Sequence, residues 1–141
     1  MAFSETIRKL IQDAWDDGYP CLVGTEGENG PNISPKGSMM IFDDDHLAYW
    51  ERSKKTALAN VQKDPRVVVV YSNMAAQRDK RLESGILRIY GVAELHEAGP
   101  IHDAIFARLP PRESTHVGAD TGIGVLIKIT RAEDVRGKPI K

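Results

Sequence analysis

The 141-residue sequence has little of several features that mark particular classes of protein. Cys21 is its only cysteine, so no internal disulfide can form, and its apolar neighbours predict a buried, inert thiol rather than a nucleophile. The longest apolar runs span a few residues, as at 67–70, whereas a membrane-spanning helix needs about 20. The first ten residues lack the apolar core and cleavage pattern of a signal peptide, so we expect a cytoplasmic protein.

An excess of charge of either sign is also missing. The formal net charge is −1, which gives no global electrostatic reason to expect binding to nucleic acid or to an anionic membrane. The apolar content of 41% and the charged content of 28% are ordinary for a soluble globular protein. Together with the length, they predict a single domain over residues 1–141.

The common catalytic motifs are absent as well. The sequence has no G-x-S-x-G, no Walker loop and no dinucleotide fingerprint, and the glycine-rich stretch 118–124 precedes a strand instead of opening a helix. The four histidines are scattered without metal-ligand spacing, and the acidic turn 43–46 lacks the ligand pattern of a calcium loop. We therefore predict no metal site, and we assign no catalytic residue.

Apolar periodicity predicts a chain made mainly of short strands. An amphipathic helix should follow Ser4 and bury Trp15 together with its aliphatic face, and Gly91 should mark a bulge within a strand. Further helices are expected from residue 56 and over 101–109, with loops at 73–83 and 111–120 and a polar tail at 135–141 that is either free or reaches a partner. The strands are expected at 19–25, 32–34, 39–42, 47–50, 66–71, 86–95 and 125–129. This order predicts a mainly β fold, an antiparallel sheet closed as a small β-barrel with flanking helices.

The segment Ser53-Lys54-Lys55-Thr56 combines two cations and two hydroxyl groups at the predicted start of a helix. A phosphate dianion needs cationic side chains, hydroxyl donors and free backbone N–H groups, and a helix N-terminus provides such N–H groups. A capped helix start in contact with solvent has the same composition. The segment alone therefore leaves both interpretations open.

A second polar segment precedes it. In Ser34-Pro35-Lys36-Gly37-Ser38, the proline interrupts the preceding strand, the glycine permits close approach by a flat ligand, and the lysine can neutralise an oxyanion or a phosphate.

Taken together and in this order, the two segments resemble the pyridoxamine 5'-phosphate oxidase-like family of FMN-binding split barrels. The resemblance also includes the acidic hairpin turn, the strand ending at Trp50, Asn60, the Asp-Pro-Arg-Val entry at 64–67 and the Gly-Val-Ala step at 91–93. It implies an antiparallel split β-barrel and a homodimer with a flavin at the subunit interface. It also implies that Ser34, Pro35, Lys36, Gly37 and Ser38 lie along the ring and ribityl chain of FMN, with Ser53, Lys54, Lys55 and Thr56 at the phosphate. Candidates to close the site from the partner subunit are Arg78, Arg81 and Arg88.

The resemblance implies an oxidoreductase in which the flavin performs the electron transfer and Lys36 stabilises its reduced, anionic form. The last residues, 131–141, lack the Arg-Leu-x-Pro ending of authentic pyridoxamine phosphate oxidases, which argues against that substrate. A deazaflavin (F420)-dependent reductase, a heme-utilisation protein, a non-catalytic flavin carrier or sensor, and a β-barrel dimer without a ligand remain alternatives.

Overall fold

Seven antiparallel strands form one sheet in the structure, a computed structural model that describes residues 2–140. The strands are β1 (Leu22–Thr25), β2 (Asn32–Pro35), β3 (Met40–Asp43), β4 (His46–Glu51), β5 (Arg66–Ser72), β6 (Ile86–His96) and β7 (Ile123–Asp134). The predicted mainly β fold with flanking helices is confirmed.

The sheet is not closed, contrary to the expected barrel closure. Its strand order is β2-β1-β5-β6-β7-β4-β3, so β2 and β3 are its two edges although a turn of only four residues, 36–39, joins them. Both edge strands have four residues, β2 ends at Pro35, which has no N–H to donate, and the pairing of β3 shifts register between Ile41 and Asp43. Short and irregular edges of this kind do not support a ladder between them.

Six short helical segments of the described residues flank the sheet. They are α1 (Glu5–Gln12), α2 (Thr56–Lys63), α3 (Met74–Arg78), α4 (Pro100–Ala107), α5 (Pro111–Ser114) and a 3₁₀ turn (Ala119–Thr121). None of the helices in the described part of the chain is long and apolar enough to cross a membrane. The segments α3, α5 and the 3₁₀ turn lie in stretches predicted to be loops. The Asn73 side chain caps α3 by accepting a hydrogen bond from the Ala76 N–H, so the helix start was readable from the sequence.

The core lies under α1 and between the inner faces of the strands. Ile7, Leu10 and Ile11 of α1 are buried, and Ser4 caps the helix as predicted. Trp15, however, lies beyond the end of α1 and remains 45% exposed, so the expectation that it belongs to the buried face is wrong. Cys21 is buried, and burial raises its pKa to about 12, which keeps the thiol protonated at neutral pH.

The long pair of β6 and β7 is the centre of the sheet. The strand β7 extends to Asp134, five residues beyond its predicted end, because its last residues pair with β6. Its register with β6 shifts between Tyr90 and Gly91, at the predicted bulge. A Cβ atom at Gly91 would lie 2.5 Å from the Lys128 carbonyl oxygen, so only glycine fits there.

The tail after β7 folds back on the sheet rather than leaving it. The buried carboxylate of Asp134 accepts hydrogen bonds from the backbone N–H groups of Arg136 and Lys138, and it pairs with the Arg136 guanidinium at 2.6 Å. Lys138 pairs with Glu83, and Ile140 packs against the core. The last residue of the predicted tail, at position 141, lies outside the described residues.

We predict that Asp134→Asn lowers the free energy of unfolding at neutral pH but not at acidic pH. The hydrogen bond from Arg136 lowers the pKa of the Asp134 carboxyl below its ordinary value of 3.8. A carboxyl with a lowered folded-state pKa stabilises the fold above its unfolded-state pKa, and this contribution is lost as the pH falls through the folded-state value. Urea unfolding of both proteins between pH 7 and pH 3 should show a difference that shrinks on acidification. A constant difference would contradict this role of the charge.

Candidate functional site

The turn between the two edge strands is held to β4 by side chains and to Cys21 by its backbone. The buried Ser38 hydroxyl accepts a hydrogen bond from the Trp50 N–H at 2.9 Å and donates to the Trp50 carbonyl oxygen at 3.3 Å. At the other end of the turn, the Lys36 N–H donates to the Cys21 carbonyl oxygen at 3.0 Å. The position of the turn is therefore fixed from both sides.

A buried ion pair adds to this attachment. The Lys36 ammonium group lies 2.5 Å from Oε2 of Glu51, the last residue of β4, and the two side chains are only 10% and 3% exposed. The ammonium also lies 5.3 Å from the centre of the Tyr49 ring. Lys36, which the sequence suggested as a cation for the ligand, is thus already neutralised by a carboxylate from within the chain.

The second oxygen of Glu51 has no hydrogen-bond partner among the described residues. Oε1 is buried and makes no hydrogen bond to any described residue. An unsatisfied buried polar group costs about 1–3 kcal/mol, and more where the group is charged. Burial and the Glu51 charge also raise the pKa of the Tyr49 hydroxyl, so that the phenol stays protonated at neutral pH.

A second set of charges covers the outer side of the turn. The buried carboxylate of Glu113, in α5, binds the Arg52 guanidinium through one oxygen and Arg112 through the other. Arg112 in turn donates to the Gly37 carbonyl oxygen at 2.9 Å and pairs with Asp16. This network ties α5 to the turn and to the end of β4.

Gly37 lies under the network with no room for a side chain. A Cβ atom there would be 2.6 Å from Oε1 of Glu113 and 3.1 Å from the Trp15 ring. The sequence had suggested that Gly37 leaves room for a flat ligand. In the structure, the groups that approach Gly37 closely are Trp15 and Glu113 of the same chain.

These groups surround a cavity of about 140 Å³. Its lining residues are Trp15, Pro35, Lys36, Gly37, Ser38, Trp50, Glu51, Arg52, Ser53 and Glu113. Five of the nine residues suggested from the sequence, namely Pro35, Lys36, Gly37, Ser38 and Ser53, are brought together here. Ser34 does not line the cavity, and its hydroxyl accepts a hydrogen bond from the Asn32 side chain within β2. Ligand pockets usually measure about 300–1,000 Å³, so this cavity can enclose only part of a ligand.

A larger groove of about 680 Å³ borders the same turn, between α1 and β3. All four of its cations already have partners. Arg8 pairs with Asp44 and Lys9 with Asp13, Arg108 donates to the carbonyl oxygens of β3, and Arg112 belongs to the Glu113 network. Three of these cations are therefore paired with carboxylates, whereas Arg108 has no anionic partner among the described residues.

The other predicted residues, Lys54, Lys55 and Thr56, lie just beyond Ser53 at the start of α2. The side chains of residues 53–56 are all exposed. Lys55 occupies the N-cap position without a side-chain hydrogen bond to the helix. Neither Lys54 nor Lys55 forms an ion pair with a described residue, as judged by N–O separations up to 4.0 Å. The backbone of Lys54 has φ = 52°, in the left-handed region that is uncommon for a lysine and often found at ligand sites.

The helix α2 is itself fixed to the sheet. The buried Asn60 side chain donates to the Thr25 hydroxyl at 3.1 Å, and its amide oxygen occupies the space where Gly27 has no side chain. Asn60, one of the residues that carry the resemblance, thus has a structural role in holding the lysine pair next to the cavity.

Five residues of the site were not singled out from the sequence as site residues: Trp15, Trp50, Glu51, Arg52 and Glu113. Trp50 was predicted only as the end of a strand, and the three charged residues form ion pairs with partners 15 or 61 positions away in the chain. The available signal was the position of Glu51 and Arg52, directly between a buried strand and the lysine pair.

Comparison with known proteins decides the family. The family model described as pyridoxamine 5'-phosphate oxidase matches residues 5–129 of this chain. The chain belongs to the pyridoxamine 5'-phosphate oxidase family. Its match covers all the strands up to Ile129 and the whole of the cavity wall. A comparison with curated proteins finds no match.

Solved structures share the fold of this family member at low sequence identity. HupZ from Group A Streptococcus has a TM-score of 0.73 at 21% identity, over 99% of this chain and 98% of that one. An FMN-binding protein from Syntrophomonas wolfei has a TM-score of 0.66 at 16% identity, over 92% and 86%. A structure named F420 reductase has a TM-score of 0.58 at 12% identity, over 82% and 89%. The similarity therefore includes structures named for two different cofactors.

The buried ion pair of this family member should show strong coupling in its unfolding free energy. Removing one partner from a buried pair costs about 3–5 kcal/mol, whereas replacing both by apolar residues of similar size is often neutral. We therefore expect Lys36→Met and Glu51→Met to be strongly destabilising singly, and the double variant to lie within about 1 kcal/mol of wild type. Urea unfolding measures all four proteins. The exposed Lys9→Met, which breaks a surface pair, serves as the control and should change stability far less than either single variant of the buried pair. Additive losses would show that the pair is not coupled.

Proposed function

We propose that this protein is an FMN-binding oxidoreductase. The observation that supports this most directly is the distribution of charge around the cavity. Lys36 is neutralised by Glu51, and Arg52 by Glu113, whereas Lys54 and Lys55 at the adjoining helix start have no anionic partner among the described residues. A ligand with an uncharged ring system and an anionic phosphate matches this arrangement.

The residues at the start of α2 fit a phosphate group. The first N–H groups of α2 lack a side-chain cap, Lys54 and Lys55 supply charge, and Ser53 and Thr56 supply hydroxyl donors. Charge-assisted hydrogen bonds of this kind are stronger than neutral ones. The phosphate of FMN would be held by Ser53, Lys54, Lys55 and Thr56, and the turn from Ser34 to Ser38 would lie along the rest of the cofactor.

Bound FMN would supply the hydride or electron transfer, because a flavin carries this chemistry itself and the protein contributes binding and orientation. The chain would bind and orient the cofactor. The network of Arg52, Arg112 and Glu113 would keep the turn in place, and Trp15 would cover its outer side. The raised pKa of Tyr49 keeps its proton in place at neutral pH.

A deazaflavin cofactor is the second candidate, because the F420 reductase structure has the same fold. The chromophore released from the purified protein distinguishes the two by its absorption spectrum and mass. A non-catalytic flavin carrier or sensor is distinguished by steady-state kinetics, since only an enzyme would be reduced by NADH or NADPH and reoxidised by an acceptor repeatedly.

We predict that Lys54→Glu combined with Lys55→Glu weakens FMN binding by at least about tenfold and changes riboflavin binding much less. The reason is that only FMN carries the phosphate with which the two lysines would form charge-assisted hydrogen bonds. Fluorescence quenching of each flavin measures both dissociation constants. A matched control is Lys63→Glu combined with Lys80→Glu, which changes the net charge equally at positions outside the site, and which should leave both affinities close to wild type.

Two results would contradict the proposal. An equal loss of affinity for FMN and riboflavin would place the phosphate elsewhere. A wild-type protein that purifies without a chromophore and fails to quench added FMN fluorescence at low salt would exclude FMN as its cofactor.

The same proposal includes a homodimer. The outward face of β1, β2, β5 and β6 carries an apolar patch, with Ile33 70% exposed and Val92 42% exposed, and the charged Arg66 and Arg88 lie on the same face. Val68, Val70 and Tyr90 share this face and are half-buried. Pro35 pairs with Leu22 on the same face and also lines the cavity, so a second copy that covers the face would reach the site. Exposed apolar patches of this kind are typical of interaction surfaces.

The three arginines suggested to reach the site from the partner subunit, Arg78, Arg81 and Arg88, differ in their ion-pair partners. Arg78 is exposed at the end of α3 and forms no ion pair with a described residue. Arg81 pairs with Asp79 at 3.4 Å, and Arg88 pairs with Glu133 and donates to the carbonyl oxygens of Asp134 and Val135. Arg78 therefore has the charge that is most available to a ligand bound by another subunit.

Wild-type protein should sediment as a dimer, and Ile33→Asp should shift it toward the monomer, because a carboxylate would have to be buried in the apolar contact. Sedimentation velocity measures the change. The control is Val135→Asp, at a 50% exposed position after β7, which should remain dimeric. FMN affinity should fall with dimer content in the Ile33 variant. A monomeric wild type would contradict this part of the proposal.

A further inference from the structure

We propose that Lys36 and Glu51 together recognise an amide or imide edge of the ligand, in which a carbonyl oxygen lies next to an N–H group. This inference rests on the proposed function and extends it to the ring of the cofactor. It starts from the unpartnered oxygen of Glu51, a side chain that is 3% exposed and forms part of the cavity wall.

A buried donor and a buried acceptor lie side by side next to the cavity. The Lys36 ammonium has three N–H bonds, of which the contact with Oε2 of Glu51 uses one. Oε1 of the same carboxylate accepts no hydrogen bond from a described residue. A ligand that complements this pair offers an acceptor to Lys36 and an N–H donor to Glu51.

The other carboxylate in the wall offers no such opportunity. Both oxygens of Glu113 are engaged, one by Arg52 and the other by Arg112. The hydroxyl of Ser38 is likewise occupied on both sides by the Trp50 backbone. Of these polar side chains in the wall, Glu51 is therefore the one with an acceptor available to a ligand.

The pyrimidine ring of a flavin carries such an edge, with the N3–H group between two carbonyl groups. The deazaflavin ring carries it as well, so the inference holds for either cofactor. Because Oε1 is covered, the ligand has to displace neighbouring side chains slightly in order to reach it. The carboxylate would then gain the partner that it lacks, which favours ligands with the donor over analogues without it.

The test compares FMN with 3-methyl-FMN, which keeps the phosphate and lacks the N3–H donor. Wild-type protein should bind FMN at least about tenfold more tightly than the methylated analogue. The Lys36→Met and Glu51→Met double variant should bind the two within about twofold of each other, because donor and acceptor are removed together. Fluorescence quenching or calorimetry gives the four dissociation constants, and urea unfolding verifies that the double variant is folded.

Glu113→Gln is the matched control, since it alters a buried carboxylate of the same wall whose oxygens are already occupied. It should preserve the preference for FMN whatever its effect on overall affinity. Equal affinities of wild type for the two flavins, or a preference that persists in the double variant, would overturn the inference while leaving FMN binding intact. A wild type that binds neither flavin would overturn the proposed function and this inference with it.

Discussion

The fold of this protein depends on a contact that joins the two ends of its sheet. The ladder of strands begins at β2 and ends at β3, and no strand pairing closes it. What joins the ends is the short turn 36–39, fixed to β4 by the Ser38 hydroxyl and by the pair of Lys36 with Glu51. Side chains thus attach the turn to β4, whereas backbone hydrogen bonds join neighbouring strands elsewhere in the sheet. The cavity lies at this opening, where the turn contributes Lys36, Gly37 and Ser38 to its wall.

The sequence was informative wherever the information is local. A continuous run of β-branched residues placed β5, and alternation of apolar residues placed β6, both nearly to the residue, and a lone glycine in a strand predicted the bulge at Gly91. The turn 34–38 and the lysine pair could be proposed as site residues because of their chemistry and their order. The ion pairs could not be predicted, because a glutamate such as Glu51 or Glu113 is usually exposed. Only the fold brings Lys36 to Glu51 and Arg52 to Glu113. Long-range pairing of this kind has no periodic signal in one sequence.

Compensation of charge also divides the site into two regions. Around the cavity each cation is matched by a buried carboxylate, so the wall has little net charge to offer an anion. At the start of α2 the two lysines have no such partner among the described residues, and the helix N-terminus adds to their field. Family membership alone does not say which region would hold the ring of the cofactor and which its phosphate, because the matching structures share the fold at low identity. The proposed roles rest instead on which charges the chain neutralises internally.

The open edge of the sheet also explains why assembly and binding would depend on each other. Pro35 lies at the end of β2, where the apolar outer face of the sheet meets the cavity. A cavity of about 140 Å³ encloses only part of a cofactor, so the rest must meet solvent or a second chain. Covering the outer face with another copy would bury Ile33 and bring protein to the open side of the cavity at once. The same apolar contact that stabilises a dimer would then exclude water from the ring of the cofactor. Electrostatic interactions between the ring and the protein would be stronger as a result, because the local dielectric constant is lower without water.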